Sequence, residues 1–270
     1  MPDIINLHYV FCNIYTIFVF EISHAMKKIA MFLMIHCVIM ILCLPIRAQN
    51  NASKPEGKQK INTGQAIDQT TSFSVNGEQK VIPLPAPQTD GGMPLMKALK
   101  NRQTNREFGE GKISQQVLSN LLWAACGINR PEAKKRTAPS AMNYQEVDVY
   151  VITAEGVCIY EAEKHALIEI SKDDIRSSTG TQPFVATAPL DLVLVADYSK
   201  MARSDEKNRE ILGMADAAYI SENIYLFCAS GGLNTGVRAS IDKEACAKAL
   251  QLKENQHIML GHSVGYPKEK

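Results

Sequence analysis

The apolar residues that open the folded region recur at the spacing of amphipathic helices. Residues 94–101 and 114–126 both show this spacing. The longer segment places five apolar residues on one face: Val117, Leu118, Leu121, Leu122 and Ala125. Ser114 occupies the position of an N-cap, and Gly127 follows the last apolar residue. The pattern therefore predicts two helices, and both ends of the second are marked.

The next stretch changes to the alternation of β-strands. Val147, Val149 and Val151 alternate with more polar neighbours, and residues 156–161 and 166–170 repeat this short pattern. Three such segments in succession predict an antiparallel meander.

The second half of the chain predicts a core strand and the longest helix. Residues 191–196 are almost all apolar, as expected for a strand covered on both faces, so we predict that this is the central strand. A helix is predicted over residues 202–229, ending at Ser230, Gly231 and Gly232. The stripe expected to face the core comprises Ile211, Met214, Ala215, Ala218, Tyr225 and Leu226.

Shorter elements complete the pattern. An extended piece is predicted at residues 81–85, a strand at 233–238, a helix at 242–250 and a last strand at 256–264. The predicted fold class is therefore α+β, with a central, mostly antiparallel sheet flanked by helices.

The N-terminal region has the order of a signal peptide. A charged start at Met26 precedes an apolar run over residues 29–44 and the small residue Ala48, which predicts a signal peptide over residues 26–48, cleaved after Ala48. A membrane anchor is the alternative, although the run of about 16 residues is shorter than the ~20 that a spanning helix needs. Residues 1–25 are interpreted as an upstream extension that results from too early a start codon.

This segment predicts export, with a periplasmic location and no stable membrane insertion after cleavage; an uncleaved segment would leave the protein tethered to the membrane. Residues 49–80 are mostly polar and have few large apolar side chains, so they are predicted to be a flexible tether. Residues 81–270 are predicted to form the folded domain.

Composition and charge narrow the classes of partner. The 270 residues are 46% hydrophobic and 21% charged, which suits one globular domain, and the net charge of +1 gives no field for nucleic acid. The four cysteines of the folded region are Cys126, Cys158, Cys228 and Cys246. They lack C-x-x-C spacing and are interpreted as buried thiols, so no metal site is predicted.

The sharpest candidate chemistry lies directly after the first helix. In an extended segment, residues two apart point to one side, so Arg102, Thr104 and Arg106 would present two guanidinium groups and a hydroxyl to one ligand. Such a set suits a phosphate, because arginine donates charge-assisted hydrogen bonds. Gln103 belongs to the same cluster. The alternative interpretation is a solvated basic loop.

A second cluster precedes the first strand of the meander. Pro139, Ser140 and Asn143 predict a turn. Its small residues, including Ala141, would let the backbone approach a flat ring, while Ser140, Asn143 and Gln145 offer hydrogen bonds to the ring's edge. An ordinary capping turn is the alternative.

Together the clusters resemble the nitroreductase family of flavoproteins, especially its subgroup related to azoline-oxidising dehydrogenases. The family pattern Arg-x-Ser/Thr-x-Arg-x-Phe matches Arg102, Thr104, Arg106 and Phe108. The later pattern Pro-Ser-x-x-Asn-x-Gln matches Pro139, Ser140, Asn143 and Gln145. The resemblance covers about residues 82–270.

The resemblance implies an intertwined homodimer with FMN at the subunit interface. Arg102 and Thr104 would approach the phosphate and ribityl end, and Arg106 the N1/O2 side of the ring. The turn from Pro139 to Asn143 would come from the other subunit.

Five further positions follow from the same resemblance. The backbone amides of Ala239 and Ser240 would face flavin N5 and O4. Gln182 stands where relatives often carry asparagine. Lys268 and Lys270 occupy the region from which the family often supplies a basic phosphate ligand.

The implied activity is ping-pong hydride transfer through flavin N5, from NADH, NADPH or another donor to a nitroaromatic, quinone or similar small acceptor. Because the flavin would carry the reaction, no catalytic side chain is assigned. The alternative, from a different class, is an exported flavin- or small-ligand-binding module of the same fold without efficient turnover.

Overall fold

The computed structural model describes residues 80–268; the predicted signal peptide, most of the tether and Lys270 lie outside this range. The helices are α1 (Leu95–Asn101), α2 (Gln115–Cys126), α3 (Glu206–Gly231) and α4 (Lys243–Ala249). The strands are β1 (Val81–Pro83), β2 (Ile128–Arg130), β3 (Lys135–Arg136), β4 (Val147–Thr153), β5 (Gly156–Glu161), β6 (Ala166–Ser171), β7 (Leu190–Asp197), β8 (Asn234–Arg238) and β9 (Gln256–Gly265).

Seven strands form one sheet in the order β1-β6-β5-β4-β7-β9-β8, and every neighbouring pair is antiparallel. The α+β prediction and the β4–β6 meander are confirmed. The predicted central strand, β7, is an interior strand, but β4 takes the middle position because three strands add beyond β4 and only two beyond β7. β2 and β3 form a separate hairpin.

Both faces of the sheet are covered, which explains why β7 is apolar throughout. Leu192 and Leu194 belong to the core beneath α2 and α3, whereas Val193 and Val195 face the smaller core beneath α4. Alternate residues of one strand therefore enter two different cores.

Capping residues define the ends of the helices. Ser114 Oγ accepts a hydrogen bond from the Val117 amide at 3.3 Å, which confirms the predicted N-cap of α2. Gly232 ends α3 in the left-handed region, at φ = 70°. The predicted start of α3 at residue 202 is wrong: Asp205 accepts from the Asn208 amide at 2.9 Å and caps the helix there.

The predicted apolar stripe of α3 is also largely wrong. Ile211 is 54% exposed, and Ala215 and Ala218 are exposed as well. The buried face comprises Gly213, Asp216, Ala217, Ile220, Ser221, Ile224, Tyr225 and Cys228. Because this face includes polar residues with specific partners, the position of the apolar residues alone does not locate it.

The cysteines of the described region are mostly buried, as predicted. Cys126, Cys228 and Cys246 are buried and Cys158 is half-buried; burial raises the pKa of Cys126 to about 11. Within residues 80–268, none of the helices combines the length and apolarity that crossing a membrane would require. The same residues contain no group of three His, Cys, Asp or Glu side chains able to hold a metal ion.

Candidate functional site

The first candidate cluster lies on an extended segment, residues 102–109, that follows α1 along the outer side of the edge strand β8. The Asn105 amide donates to the Thr235 carbonyl at 2.9 Å, and Asn234 Nδ2 donates to the Glu107 carbonyl at 2.6 Å. Farther on, Phe108 forms an isolated antiparallel bridge with Pro267. The predicted extended conformation therefore arises because the segment pairs with the edge of the sheet.

Arg102 and Thr104 meet at one buried side chain, Tyr225 of α3. The Arg102 guanidinium carbon lies 5.1 Å from the centre of the Tyr225 ring, and Thr104 Oγ1 lies 2.7 Å from the Tyr225 hydroxyl oxygen. That hydroxyl also accepts a hydrogen bond from the Val237 amide at 3.0 Å. Tyr225 therefore links the segment to both α3 and β8.

Arg106 lies beside Thr104 on the same side of the segment. Arg106 Nη2 donates to the Val237 carbonyl at 3.2 Å. A Cβ atom on Gly236 would stand 3.0 Å from Arg106 Cγ and 3.4 Å from Thr104 Cγ2, so this close approach favours glycine at residue 236. Thr104 therefore lies next to Arg106 at Gly236 and shares Tyr225 with Arg102.

The two guanidinium groups retain most of their hydrogen-bonding capacity. Within the described residues, neither Arg102 nor Arg106 has a carboxylate within 4.0 Å, and the one hydrogen bond they donate is that from Arg106 to Val237. Each guanidinium carries five N–H donors. The pair can therefore bind an anion without first breaking an ion pair.

A second group of predicted residues lies just beyond β8. Ala239 and Ser240 are exposed, and the Thr181 amide donates to the Ser240 carbonyl at 3.2 Å. The hydroxyl oxygens of Thr181 and Ser240 are 2.7 Å apart. Gln182 follows directly, and its buried Oε1 accepts no hydrogen bond from the described residues. The structure therefore brings Gln182 close to Ser240 through Thr181.

Lys268 and Gln103 flank the extended segment. A Cβ atom on Gly109 would lie 3.7 Å from Lys268 Cα, so Lys268 stands next to the end of this segment that is farther from Arg102. Gln103 is exposed and, together with Asn101 and Asn234, lines a cavity of about 430 Å³.

The turn that contains Pro139, Ser140, Ala141 and Asn143 is held elsewhere on α3. The Ala141 amide donates to Asp216 Oδ2 at 2.7 Å. Asp216 precedes Tyr225 by nine residues, which corresponds to about 14 Å along the helix. A single chain therefore does not bring its two predicted clusters together.

Backbone geometry gives this turn its shape. Met142, Asn143 and Gln145 have φ values of 49°, 57° and 50°, in the left-handed region. Ser140 Oγ accepts from the Gln145 amide at 2.8 Å and closes the turn. As a result, Met142 is 59% exposed at its tip.

Two buried carboxyl groups lie beneath the turn. Ser140 Oγ donates to Glu146 Oε2 at 3.2 Å, whereas Glu146 Oε1 has no hydrogen-bond partner among the described residues. Burial, reinforced by the neighbouring Asp216, raises the pKa of Glu146 to about 7. Burial therefore favours the protonated form of Glu146, while Asp216 accepts the hydrogen bond from the Ala141 amide.

Sequence reasoning missed several residues that shape the site. Tyr225 was assigned only to a core stripe, and Glu146 and Asp216 were not singled out. Gly236 did carry a signal, since a glycine inside a strand often marks close approach of another segment. Asp216 carried a weaker signal, since it is a charged residue in the middle of a long helix.

Comparisons with known proteins agree on one family. A sequence model described as "Nitroreductase family" matches residues 99–266. A candidate nitroreductase of Methanocaldococcus jannaschii is 29% identical over 179 residues, which cover 62% of this chain and 88% of that protein.

Solved structures show the same fold. A candidate nitroreductase from Ralstonia eutropha JMP134 superposes with a TM-score of 0.68 at 39% identity, covering 73% of this chain and 94% of its own. Another from Anabaena variabilis gives a TM-score of 0.59 at 15% identity, over 73% of this chain and 45% of its own; at that identity only the fold is compared.

Proposed function

This chain belongs to the nitroreductase family of flavin-dependent oxidoreductases, and from that premise we propose that it binds FMN with Arg102, Thr104 and Arg106. The supporting observation is the pair of neighbouring guanidinium groups without a carboxylate partner among the described residues. Arginine in this state suits a phosphate and an electron-rich ring edge. Arg102 and Thr104 would hold the phosphate and ribityl end, and Lys268 would add charge there.

The residues beyond β8 suit the edge of a flat ring. Ala239 and Ser240 have small, exposed side chains, so their backbone can be approached closely. The Gln182 amide oxygen can accept a hydrogen bond that no described residue supplies. Arg106 would place positive charge near N1 and O2, where it would stabilise the negative charge of the reduced ring.

We further propose that a second copy of the chain completes the site with its turn at residues 139–143. The separation of the two clusters along α3 supports this arrangement. Three apolar side chains exposed on α3 and the turn also support it: Ile211 at 54%, Tyr219 at 51% and Met142 at 59% exposed. Exposed apolar residues grouped on neighbouring elements are typical of subunit interfaces.

When bound, FMN would supply hydride transfer from NADH, NADPH or another donor to a nitroaromatic, quinone or similar small acceptor, one after the other at the same face. The protein's residues would bind the phosphate, orient the ring and balance its charge. Because the predicted signal peptide implies export, a donor other than a cytoplasmic nicotinamide would also suit this protein.

Titration of the purified protein with FMN tests the proposal. We expect a yellow complex, and we expect Arg102→Ala and Arg106→Ala each to weaken FMN binding by at least tenfold, since each removes a charged ligand. Lys172→Ala, which removes one exposed positive charge at the end of β6, is the matched control and should bind normally. A protein that stays colourless with excess FMN would exclude the flavin assignment.

Steady-state assays with NADH and NADPH then separate an enzyme from a binding module. Bound FMN that is reduced and then reoxidised by a quinone or nitroaromatic over many cycles would support the enzyme. Stoichiometric binding without turnover for any donor and acceptor pair would favour the binding module.

A further inference from the structure

Arg238 is the last residue of β8 and directly precedes the Ala239–Ser240 pair. Its side chain is only 1% exposed. Arg238 Nε donates to the Thr179 carbonyl at 3.0 Å, and Nη2 donates to Thr179 Oγ1 at 2.8 Å. The guanidinium group therefore binds two atoms of Thr179, which belongs to the loop before Gln182.

The other side of the guanidinium group is anchored in the sheet. Arg238 Nη2 donates to Asp191 Oδ1 of β7 at 2.9 Å, and Nη1 donates to Ser263 Oγ of β9 at 2.8 Å. Ser263 Oγ in turn donates to Asp191 Oδ1. One side chain thus ties three neighbouring strands to the loop.

Two glycines make room for this group. A Cβ atom on Gly180 would lie 2.5 Å from Arg238 Nε, and one on Gly261 would lie 3.3 Å from Arg238 Cζ. The first distance is too short for any side chain to be accepted without movement. The loop and β9 are therefore shaped around the arginine.

The loop before Gln182 contacts the chain at the end of β8 twice, at residues that are two apart in both segments. Arg238 holds Thr179, and Ser240 meets Thr181 through the hydroxyl pair at 2.7 Å and through the backbone bond at 3.2 Å. The loop and the segment after β8 are consequently joined at two successive points. The second point is the residue proposed to face the flavin.

Burying the charges of Arg238 and Asp191 costs desolvation free energy, so their contribution to the protein has to be sought beyond stability. An apolar pair of similar volume often stabilises a core as well as a buried salt bridge does, so stability alone does not explain Arg238 and Asp191. A guanidinium group instead fixes several acceptors at defined directions. Its specific contribution here is geometric.

We propose that Arg238 is a positioning residue that aligns the backbone of Ala239 and Ser240 for FMN and fixes the distance between Ser240 and Gln182. Arg238 would act through these residues, because its own side chain is buried and bound to Thr179, Asp191 and Ser263. This inference rests on the proposed FMN function. It adds a residue that would influence the affinity for FMN and the reduction potential of bound FMN without contacting FMN itself.

A set of variants separates positioning from stability. Arg238→Met leaves the Asp191 carboxylate buried and unpaired, so both thermal stability and FMN affinity should fall. In Arg238→Met/Asp191→Asn the stranded charge is removed, and the melting temperature should recover. We expect FMN affinity to remain at least tenfold weaker and the midpoint potential of bound FMN to stay shifted. Hydrogen exchange in the FMN-free protein should be faster at residues 179–182 and 239–241.

A milder pair of variants covers the case in which Arg238→Met does not fold. Thr179→Val removes the hydroxyl that accepts from Nη2, whereas Thr179→Ser keeps it. We expect weaker FMN binding and faster exchange at residues 239–241 for valine only. FMN affinity and potential that recover fully with the melting temperature in the double variant, or that are equal in Thr179→Val and Thr179→Ser, would overturn the inference. A wild-type protein without FMN affinity would instead contradict the proposed function.

Discussion

At the scale of single residues, the most consequential pair outside the arginine cluster is Glu146 and Asp216. Both carboxyl groups are buried under the turn proposed to face the partner's flavin. Asp216 holds the turn through the Ala141 amide, and Glu146 accepts from Ser140. The protonation state of Glu146 should therefore affect the shape of the turn that is proposed to pack against the flavin ring.

This pair predicts a pH dependence of stability. Burial raises the pKa of folded Glu146 from its ordinary value of 4.5 to about 7, so the folded state binds more protons than the unfolded state between these values. The contribution of Glu146 to the free energy of unfolding should therefore fall as pH rises from about 4.5 to about 7 and then level off. Denaturation of Glu146→Gln across this range should show a flatter profile than the wild type.

The control for that experiment is Glu254→Gln, which changes an exposed carboxyl group. Its profile should follow the wild type. If Glu146→Gln and the wild type lose stability in parallel between pH 4.5 and 7, Glu146 does not take up the proton.

Sequence reasoning succeeded at this scale where the geometry is local. The extended backbone that spaces Arg102, Thr104 and Arg106 two residues apart involves only five consecutive residues. Contact between Thr104 and Tyr225 joins positions 121 residues apart, and it depends on how α3 crosses β8. No local pattern carries that information.

At the scale of elements, the strands of the main sheet and most helices could be predicted because periodicity and end signals agreed, whereas the short β2–β3 hairpin was not predicted. α2 is the clearest case, with Ser114 and Gly127 at its two ends. The inner face of α3 could not be predicted, because Asp216 and Ser221 are buried through partners supplied by distant segments: the Ala141 amide and His262. Ile211 is exposed despite its hydrophobicity, which agrees with the proposed contact of this face of α3 with a second chain.

Removal of the Ser114 hydroxyl should measure the value of the α2 cap. Ser114→Ala leaves the Val117 amide without its acceptor, and the free energy of unfolding should drop by about 1 kcal/mol. Ser114→Thr keeps the oxygen and should stay near the wild type in urea denaturation. Equal midpoints for alanine and threonine would show that the cap contributes nothing measurable.

At the scale of the whole molecule, the outer face of α3 predicts self-association. Ile211→Glu would place a charge within the proposed dimer contact, so we expect a monomer by size-exclusion chromatography with light scattering, and weaker FMN binding. Lys248→Glu, an exposed change on α4, is the control and should remain dimeric. A dimer of Ile211→Glu with wild-type affinity would place the subunit contact elsewhere.

The position of residues 102–109 affects how readily the protein would aggregate in a cell. These residues lie along the outermost strand, where Asn105 bonds to Thr235, and uncovered edge strands recruit other chains. A bound ligand that immobilises Arg102 and Arg106 would keep residues 102–109 against β8. Bound cofactor would then lower the tendency to aggregate by keeping the edge strand covered.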